Sequence, residues 1–296
     1  MEYIDFCGES LSRIVLGTDG YAQRIHKETA FRLLDHYIGY GGNVIDTARL
    51  YCNGESERLI GEYLKDRNAR NKVFISTKCS HPPLEDMSVS RLRPEDIEAD
   101  IDASLMALGV DVIDMVWLHR DDERKGVRHI MDALNNMVRK GKIRNFGASN
   151  WTYERIDSAN RYAYESGGDG FAASQILYNM ATPAKVWDDT LVVMDADEKK
   201  KYTADSFPVF AFSSQAKGFF EKYDSGILSP KAKDRYLCEA SVKAYARIKA
   251  VAEENGDTLS YTALRLLCEE SEFDVFPIIG PSNLKQLKDS LNISED

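Results

Sequence analysis

The sequence predicts an α/β fold, a closed (β/α)8 barrel of the TIM-barrel type, on three observations. Short, continuously apolar and often β-branched runs alternate with amphipathic helix patterns along the chain, as parallel strands covered on both faces require. The first run leads into Leu16-Gly-Thr-Asp-Gly-Tyr21, whose glycine spacing is wrong for the phosphate turn that opens a doubly wound sheet, the structural rival. Chemically capable side chains stand where several apolar runs end, and in a parallel barrel those carboxyl ends converge on one mouth.

The elements follow in order. Met1–Phe6, a turn at Cys7-Gly8-Glu9-Ser10 and the run from Leu11 make a candidate N-terminal β-hairpin closing the barrel floor. The barrel strands are expected at Arg13–Leu16, Asn43–Asp46, Val73–Lys78, Asp114–His119, Ile143–Ala148, Ala173–Leu177, Pro208–Phe212 and Val275–Ile279. Helices are expected at Glu28–Tyr40, stopped by Gly41-Gly42, and at Ser56–Lys65. Pro94–Leu108 opens with proline at the first helical position and acids in the first turn, and Gly109 ends it. Val127–Lys140 ends at Gly141, and Thr152–Glu165 opens on a threonine cap and ends before Gly167-Gly168. Ala240–Glu254, Thr258–Glu270 and Asn283–Leu291 complete the set. Two long connections, Ala181–Phe207 and Ser213–Leu237, are expected to be loops that shape or cover a substrate site.

At 296 residues, with no repeat, linker or low-complexity tract, the chain fits one barrel domain over 1–296. A net charge of −10, from 38 basic and 48 acidic residues, argues against nucleic-acid or anionic-membrane partners. No apolar run approaches the roughly 20 residues of a membrane span, and the first residues lack a signal-peptide pattern, so a cytoplasmic location is expected. The cysteines, 5 and therefore odd in number, show no paired metal spacing and suit a reducing compartment. Cys52 and Cys79 directly follow Tyr51 and Lys78, which invites a redox role, although small buried side chains are the more ordinary explanation. His26, His36, His81, His119 and His129 have no ligand spacing with acids or thiols, so no metal is expected.

The strand ends carry an acid, a phenol, an ammonium and an imidazole: Asp46, Tyr51, Lys78 and His119. Singly, Asp46 suits a turn cap, Tyr51 a rim aromatic, Lys78 a solvated cation and His119 a satisfied core imidazole. Their joint placement at the ends of neighbouring strands points elsewhere. A tyrosine of pKa near 10 shuttles protons poorly at neutral pH. A lysine beside it favours the phenolate, a carboxylate keeps that lysine charged, and an imidazole orients a substrate oxygen. Such a group exchanges a proton with oxygen as a hydride reaches or leaves carbon, and the hydride must come from an organic cofactor.

Gly42-Asn-Val-Ile-Asp-Thr-Ala-Arg-Leu-Tyr51, with Cys-Asn-Gly-Glu-Ser-Glu57 and Leu59-Ile-Gly61 after it, closely resembles the aldo-keto reductase signature. So do Leu108-Gly-Val-Asp-Val-Ile-Asp114 leading to Leu118-His119, and Gly141-Lys-Ile-Arg-Asn-Phe-Gly-Ala-Ser-Asn150. The resemblance runs from Leu16-Gly17-Thr18 to Ile278-Ile-Gly280. It implies a nicotinamide cofactor lying extended across the mouth, Tyr51 as general acid/base, Lys78 and Asp46 tuning it, and His119 orienting the carbonyl. By the same resemblance, Gly17 and Thr18 belong to the cofactor site, and Ser149, Asn150 and Gln175 meet the nicotinamide carboxamide. Asn150 is alternatively a cap for the helix that follows. Phe212 falls where many members stack a tyrosine on nicotinamide, and phenylalanine keeps the face without the hydroxyl. Ser213, Gln215 and Lys217 fall in the loop over the pyrophosphate, and Gly280, Ser282, Asn283 and Gln286 at the adenosine-phosphate end. Members preferring NADP often carry an arginine there, whereas this chain offers Ser282, Asn283, Lys285 and Gln286. NADP (NADPH) is the default implied, with NAD as the alternative.

The expected function is an NAD(P)-dependent reduction of aldehydes or ketones, sugar or polyol carbonyls among them, on a small-molecule carbonyl or alcohol substrate. Its rivals are a cofactor-sensing regulatory subunit with little turnover and a redox-neutral isomerase or lyase on the same barrel. The chain ends soon after its last helix, so the pocket is expected to be shaped by Ala181–Phe207, Ser213–Leu237 and Asp19–Arg24, with Trp151, Trp187, Tyr21 and Phe219 as candidate walls.

Overall fold

The computed structural model describes residues 1–293; residues 294–296, the end of the expected 1–296 unit, lie outside the described residues. An antiparallel hairpin, β1 (Tyr3–Phe6) and β2 (Glu9–Ser12), precedes the barrel strands β3 (Val15–Gly17), β4 (Val44–Asp46), β5 (Phe74–Cys79), β6 (Ile113–Leu118), β7 (Ile143–Ser149), β8 (Ser174–Leu177), β9 (Val209–Phe212) and β10 (Val275–Ile279). These eight pair in parallel around a closed ring, β10 returning to β3. Each lies within one or two residues of its expected position.

The helices are α1 (Lys27–Gly39), α2 (Glu55–Asp66), α3 (Pro94–Leu108), α4 (Val127–Arg139), α5 (Tyr153–Glu165), α6 (Ala196–Asp205), α7 (Phe219–Asp224), α8 (Pro230–Tyr236), α9 (Glu239–Asn255), α10 (Leu259–Glu269) and α11 (Leu284–Leu291). Thr152, Thr258 and Asn283 cap α5, α10 and α11 with their side-chain oxygens. Three helices correct the loop expectation. α6 fills the second half of Ala181–Phe207, and α7 and α8 lie inside Ser213–Leu237. The charge run of α6 masks its pattern: Asp195 caps it, Tyr202 is buried with its hydroxyl on Ser174 Oγ (2.8 Å), and buried Glu198 accepts from the Tyr153 amide at the start of α5.

Two cores result. One lies between strands and helices. The other fills the lower barrel with Val15, Val44, Phe74, Met115, Trp117, Phe210 and Phe276, and the hairpin adds Phe6 and Leu11 to it. Phe6 meets Phe210 and Phe276 edge-on at 5.4 and 5.6 Å, so the hairpin plugs the floor as expected. Trp117 fits because β7 carries Gly147 opposite: a Cβ there would lie 2.4 Å from the indole. With apolar rings filling the floor, polar strand ends are left for the upper mouth.

Candidate active site

The mouth is built by short strand-to-helix connections. β4 ends at Asp46, and the backbone then crosses to its neighbour: the Thr47 amide donates to Ser76 O and the Arg49 amide to Lys78 O. A tight 3₁₀ turn over Tyr51–Gly54 follows, in which Cys52, Asn53 and Gly54 all take positive φ (51°, 54° and 85°). Buried Glu57 holds this turn from below, accepting from Thr77 Oγ1 (2.7 Å) and from Arg49 Nη1 (2.5 Å). The turn thereby carries Tyr51 over the end of β5.

Asp46, Tyr51, Lys78 and His119 are brought together. Lys78, fully inside the mouth, pairs with Asp46 Oδ2 and donates to Thr47 O (2.9 Å) and to Tyr51 Oη (3.1 Å). Asp46 Oδ1 accepts from Ser76 Oγ (2.7 Å) and from Gln175 Nε2 (3.1 Å). The His119 ring packs edge-on against Tyr51 (6.1 Å) and His81 (4.6 Å), and its buried Nδ1 has no hydrogen-bond partner.

Burial discourages charge on Lys78, but Asp46 and Tyr51 outweigh it and hold its pKa above the ordinary value. Burial raises the Tyr51 phenol; Lys78 pulls it down without cancelling that effect, since Asp46 and Asp19 also push it up. This corrects the expectation that the lysine tips Tyr51 toward phenolate. At neutral pH the phenol keeps its proton. Burial, then the positive charges of Lys78 and Arg120 and the nearby His81, hold His119 well below its usual range, so its imidazole is neutral.

These groups line the inner end of a cavity of about 520 Å³, within the roughly 300–1,000 Å³ of ordinary ligand sites. Gly17, Thr18, Ser149, Asn150, Gln175, Phe212, Ser213, Gln215, Lys217, Gly280, Ser282 and Gln286 also line it. Asn283 does not; its side chain caps α11. Asn150 is not a helix cap, since Thr152 does that work; its Nδ2 donates to His119 O (3.2 Å) and its Oδ1 accepts from the Val192 amide (3.3 Å). At the far end Gln286 Oε1 accepts from the Ser282 amide and hydroxyl (2.8 and 2.9 Å), and Gln215 Nε2 donates to Ser290 Oγ (2.9 Å). Asp19 bridges Arg24 (3.0 Å) and Lys217 (3.8 Å) midway along.

The expected aromatic walls are corrected. Trp151, Tyr21 and Phe219 are core side chains, and Trp187 packs on Tyr236 and under the Arg235 guanidinium, outside the cavity. Leu191, Ile278 and Ile279 are the aliphatic lining instead. Residue types missed from the sequence include Arg120, directly after His119, and Glu221 and Ser260, which bond each other at the far end. Neither cysteine beside the quartet is an activated thiol: burial pushes Cys79 up to about 12 and raises Cys52. Among the described residues no cluster of three or more His, Cys, Asp or Glu side chains is placed to hold a metal, and no helix is long and apolar enough to cross a membrane.

A buried lysine–carboxylate pair, a protonated phenol and a neutral imidazole thus meet at the barrel mouth, a set chemically able to exchange a proton with an oxygen bound there. Residues 13–296 match the model of the aldo/keto reductase family, and the chain belongs to that family, as an oxidoreductase. It is similar to norsolorinic acid reductase B of Dothistroma septosporum, 25% identical over 88% of this chain and 67% of that protein. It is also similar to a probable aryl-alcohol dehydrogenase, AAD4, of Saccharomyces cerevisiae, 28% identical over 90% of this chain and 83% of the relative. The aldo-keto reductase ausK of Aspergillus calidoustus is 28% identical over 90% and 68%.

Proposed function

We propose that this protein reduces a small uncharged aldehyde or ketone to the alcohol, with Tyr51 as the proton donor. The observation carrying this is the Lys78 ammonium, fixed between Asp46 and Thr47 O and set 3.1 Å from the Tyr51 hydroxyl. A nicotinamide cofactor, when bound, supplies the hydride. The Tyr51 Oη proton passes to the substrate oxygen, and Lys78 stabilises the phenolate left behind. Neutral His119 offers a ring nitrogen to the same oxygen without a net charge. Asp46, held by Ser76 and Gln175, keeps Lys78 cationic throughout.

The donor set fits such a cofactor: a phenyl face at Phe212, amides and hydroxyls at Ser149, Asn150 and Gln175, and the loop Ser213, Gln215, Lys217 beside Gly17 and Thr18. Gly280, Ser282 and Gln286 would meet the adenosine end, and Asn283 would act only by setting the start of α11. NADP is the default, and NAD the second choice because no arginine lines that end among the described residues. Beside the imidazole the cations Lys78 and Arg120 each face a carboxylate, Asp46 and Asp188, which favours neutral substrates such as sugars, polyol carbonyls and, after the relatives' names, aromatic aldehydes. Those names also favour turnover over the regulatory and redox-neutral alternatives. We take the chain as one cytoplasmic barrel domain.

The test is fluorescence titration with NADPH and NADH, then a carbonyl panel followed by cofactor absorbance, on wild type and Tyr51→Phe. Turnover should fall at least about 100-fold in the variant, with cofactor affinity nearly unchanged. Wild-type rates in Tyr51→Phe would overturn the assignment.

A further inference from the structure

We propose that Arg120 is a positioning residue that ties one wall of the substrate pocket to the backbone of His119. Its side chain is only 11% exposed, at the mouth, one residue beyond the imidazole. Burying a guanidinium is costly unless its donors are paired, and here three different acceptors share them. Nη1 donates to His119 O (2.9 Å), Nε donates to Thr190 Oγ1 (2.9 Å), and Nη2 lies 3.5 Å from Asp188 Oδ2. Asp188 Oδ1 in turn accepts from the Thr190 amide (2.9 Å) and hydroxyl (2.6 Å). Thr190 Oγ1 therefore accepts from the arginine and donates to the aspartate, which closes a turn around the guanidinium.

The next residue, Leu191, lines the cavity. The one after it, Val192, donates its amide to Asn150 Oδ1, while Asn150 Nδ2 donates to the same His119 carbonyl oxygen. That oxygen is thus held from two sides, by two side chains that each also hold the Asp188–Val192 segment. Beyond these, the Val192 carbonyl accepts from the Leu177 amide (3.1 Å), and the Met194 amide just after the segment donates to Leu177 O (2.9 Å). The wall and the His119 backbone share these bonds, so a shift of one is passed to the other and to the imidazole that the backbone carries. Arg120 accordingly sets both the fit of substrate against Leu191 and the aim of His119, without touching the reacting atoms.

The kinetic arm of the test rests on the reductase reading; two others do not. Arg120→Ala, Arg120→Lys and Thr190→Val are compared with wild type by substrate KM and kcat, cofactor affinity, amide hydrogen exchange over 188–193, and the ring resonances of His119. In Arg120→Ala and Thr190→Val, exchange at Thr190 and Val192 should rise about tenfold or more while the barrel strands stay protected. KM should rise about tenfold with kcat changed by less than about threefold in Thr190→Val, and both should suffer in Arg120→Ala, with cofactor affinity kept. The His119 resonances should shift in both Arg120 variants, because lysine keeps the charge but cannot span three acceptors. Unchanged exchange and unchanged His119 resonances would overturn the proposal, as would a matching loss of cofactor affinity. Faster exchange with unchanged KM and kcat would overturn it too. A wild type that reduces no carbonyl defeats the reductase reading instead, and exchange and resonances then decide the latch alone.

Discussion

Tyr51 is governed by a contest of magnitudes among neighbours. Desolvation and two carboxylates push its pKa up, and one ammonium at hydrogen-bonding distance pulls it down without winning. For reduction this is the useful outcome, because the donor must arrive protonated. The pH dependence follows with its sign. With Tyr51 as the proposed proton donor, the rate of reduction is lost as pH rises through the phenol's pKa, which lies above the ordinary 10.0. His119, held well below 6.5, is already neutral and adds no break near that value. The expected kcat/KM profile for reduction is therefore flat from about pH 6 to 9, and for oxidation it climbs with pH across the alkaline range. Initial rates in both directions in one buffer series check this; a reduction limb with a midpoint near 6.5 would contradict a neutral His119.

The turn after β4 is the element on which the proposed proton donor depends. Gly54 has φ +85°, and a Cβ on it would lie 2.0 Å from Arg49 Nη2, the guanidinium that reaches buried Glu57. Gly54→Ala forces the left-handed cost of about 1–2 kcal/mol and also evicts Arg49, leaving Glu57 short of its partner. Tyr51 then leaves Lys78, and kcat should drop by at least about tenfold while the cofactor still binds, a result read by steady-state kinetics beside a titration. At this scale the sequence was readable where burial is two-sided or a cap is explicit: Val275–Ile279 is found as expected, and Thr152, Thr258 and Asn283 mark true helix starts. It was unreadable where long-range bonds decide. The run Asp195–Lys201 hides a helix because its buried face is little more than Glu198 and Tyr202. Gln175 has the residue type of an amide binder, yet only the closed ring shows its Nε2 on Asp46. Nothing local in the sequence singles out Arg120, because its Thr190 partner stands seventy positions away and only the fold brings the two together.

Over the whole molecule, chemistry and stability occupy opposite ends of the same strands. The polar quartet sits at the upper ends, while Phe6 and Leu11 of the hairpin complete an apolar plug with Phe74, Phe210, Phe276 and Trp117 below. The plug must be filled, because an open floor would admit water beneath the Lys78–Asp46 pair and wet an interior built of aromatic rings. Phe6 is 5% exposed and meets three rings edge-on, so Phe6→Ala removes both transfer energy and packing, and the surrounding rings, fixed on strands, cannot collapse into the gap. A loss of about 3–5 kcal/mol is expected, seen as a shift in the denaturation midpoint. The folded fraction should keep its kcat within about twofold, since no contact at the mouth has changed. If kcat per folded molecule instead fell with stability, floor and mouth would be mechanically coupled, and the division of labour along the strands would have to be abandoned.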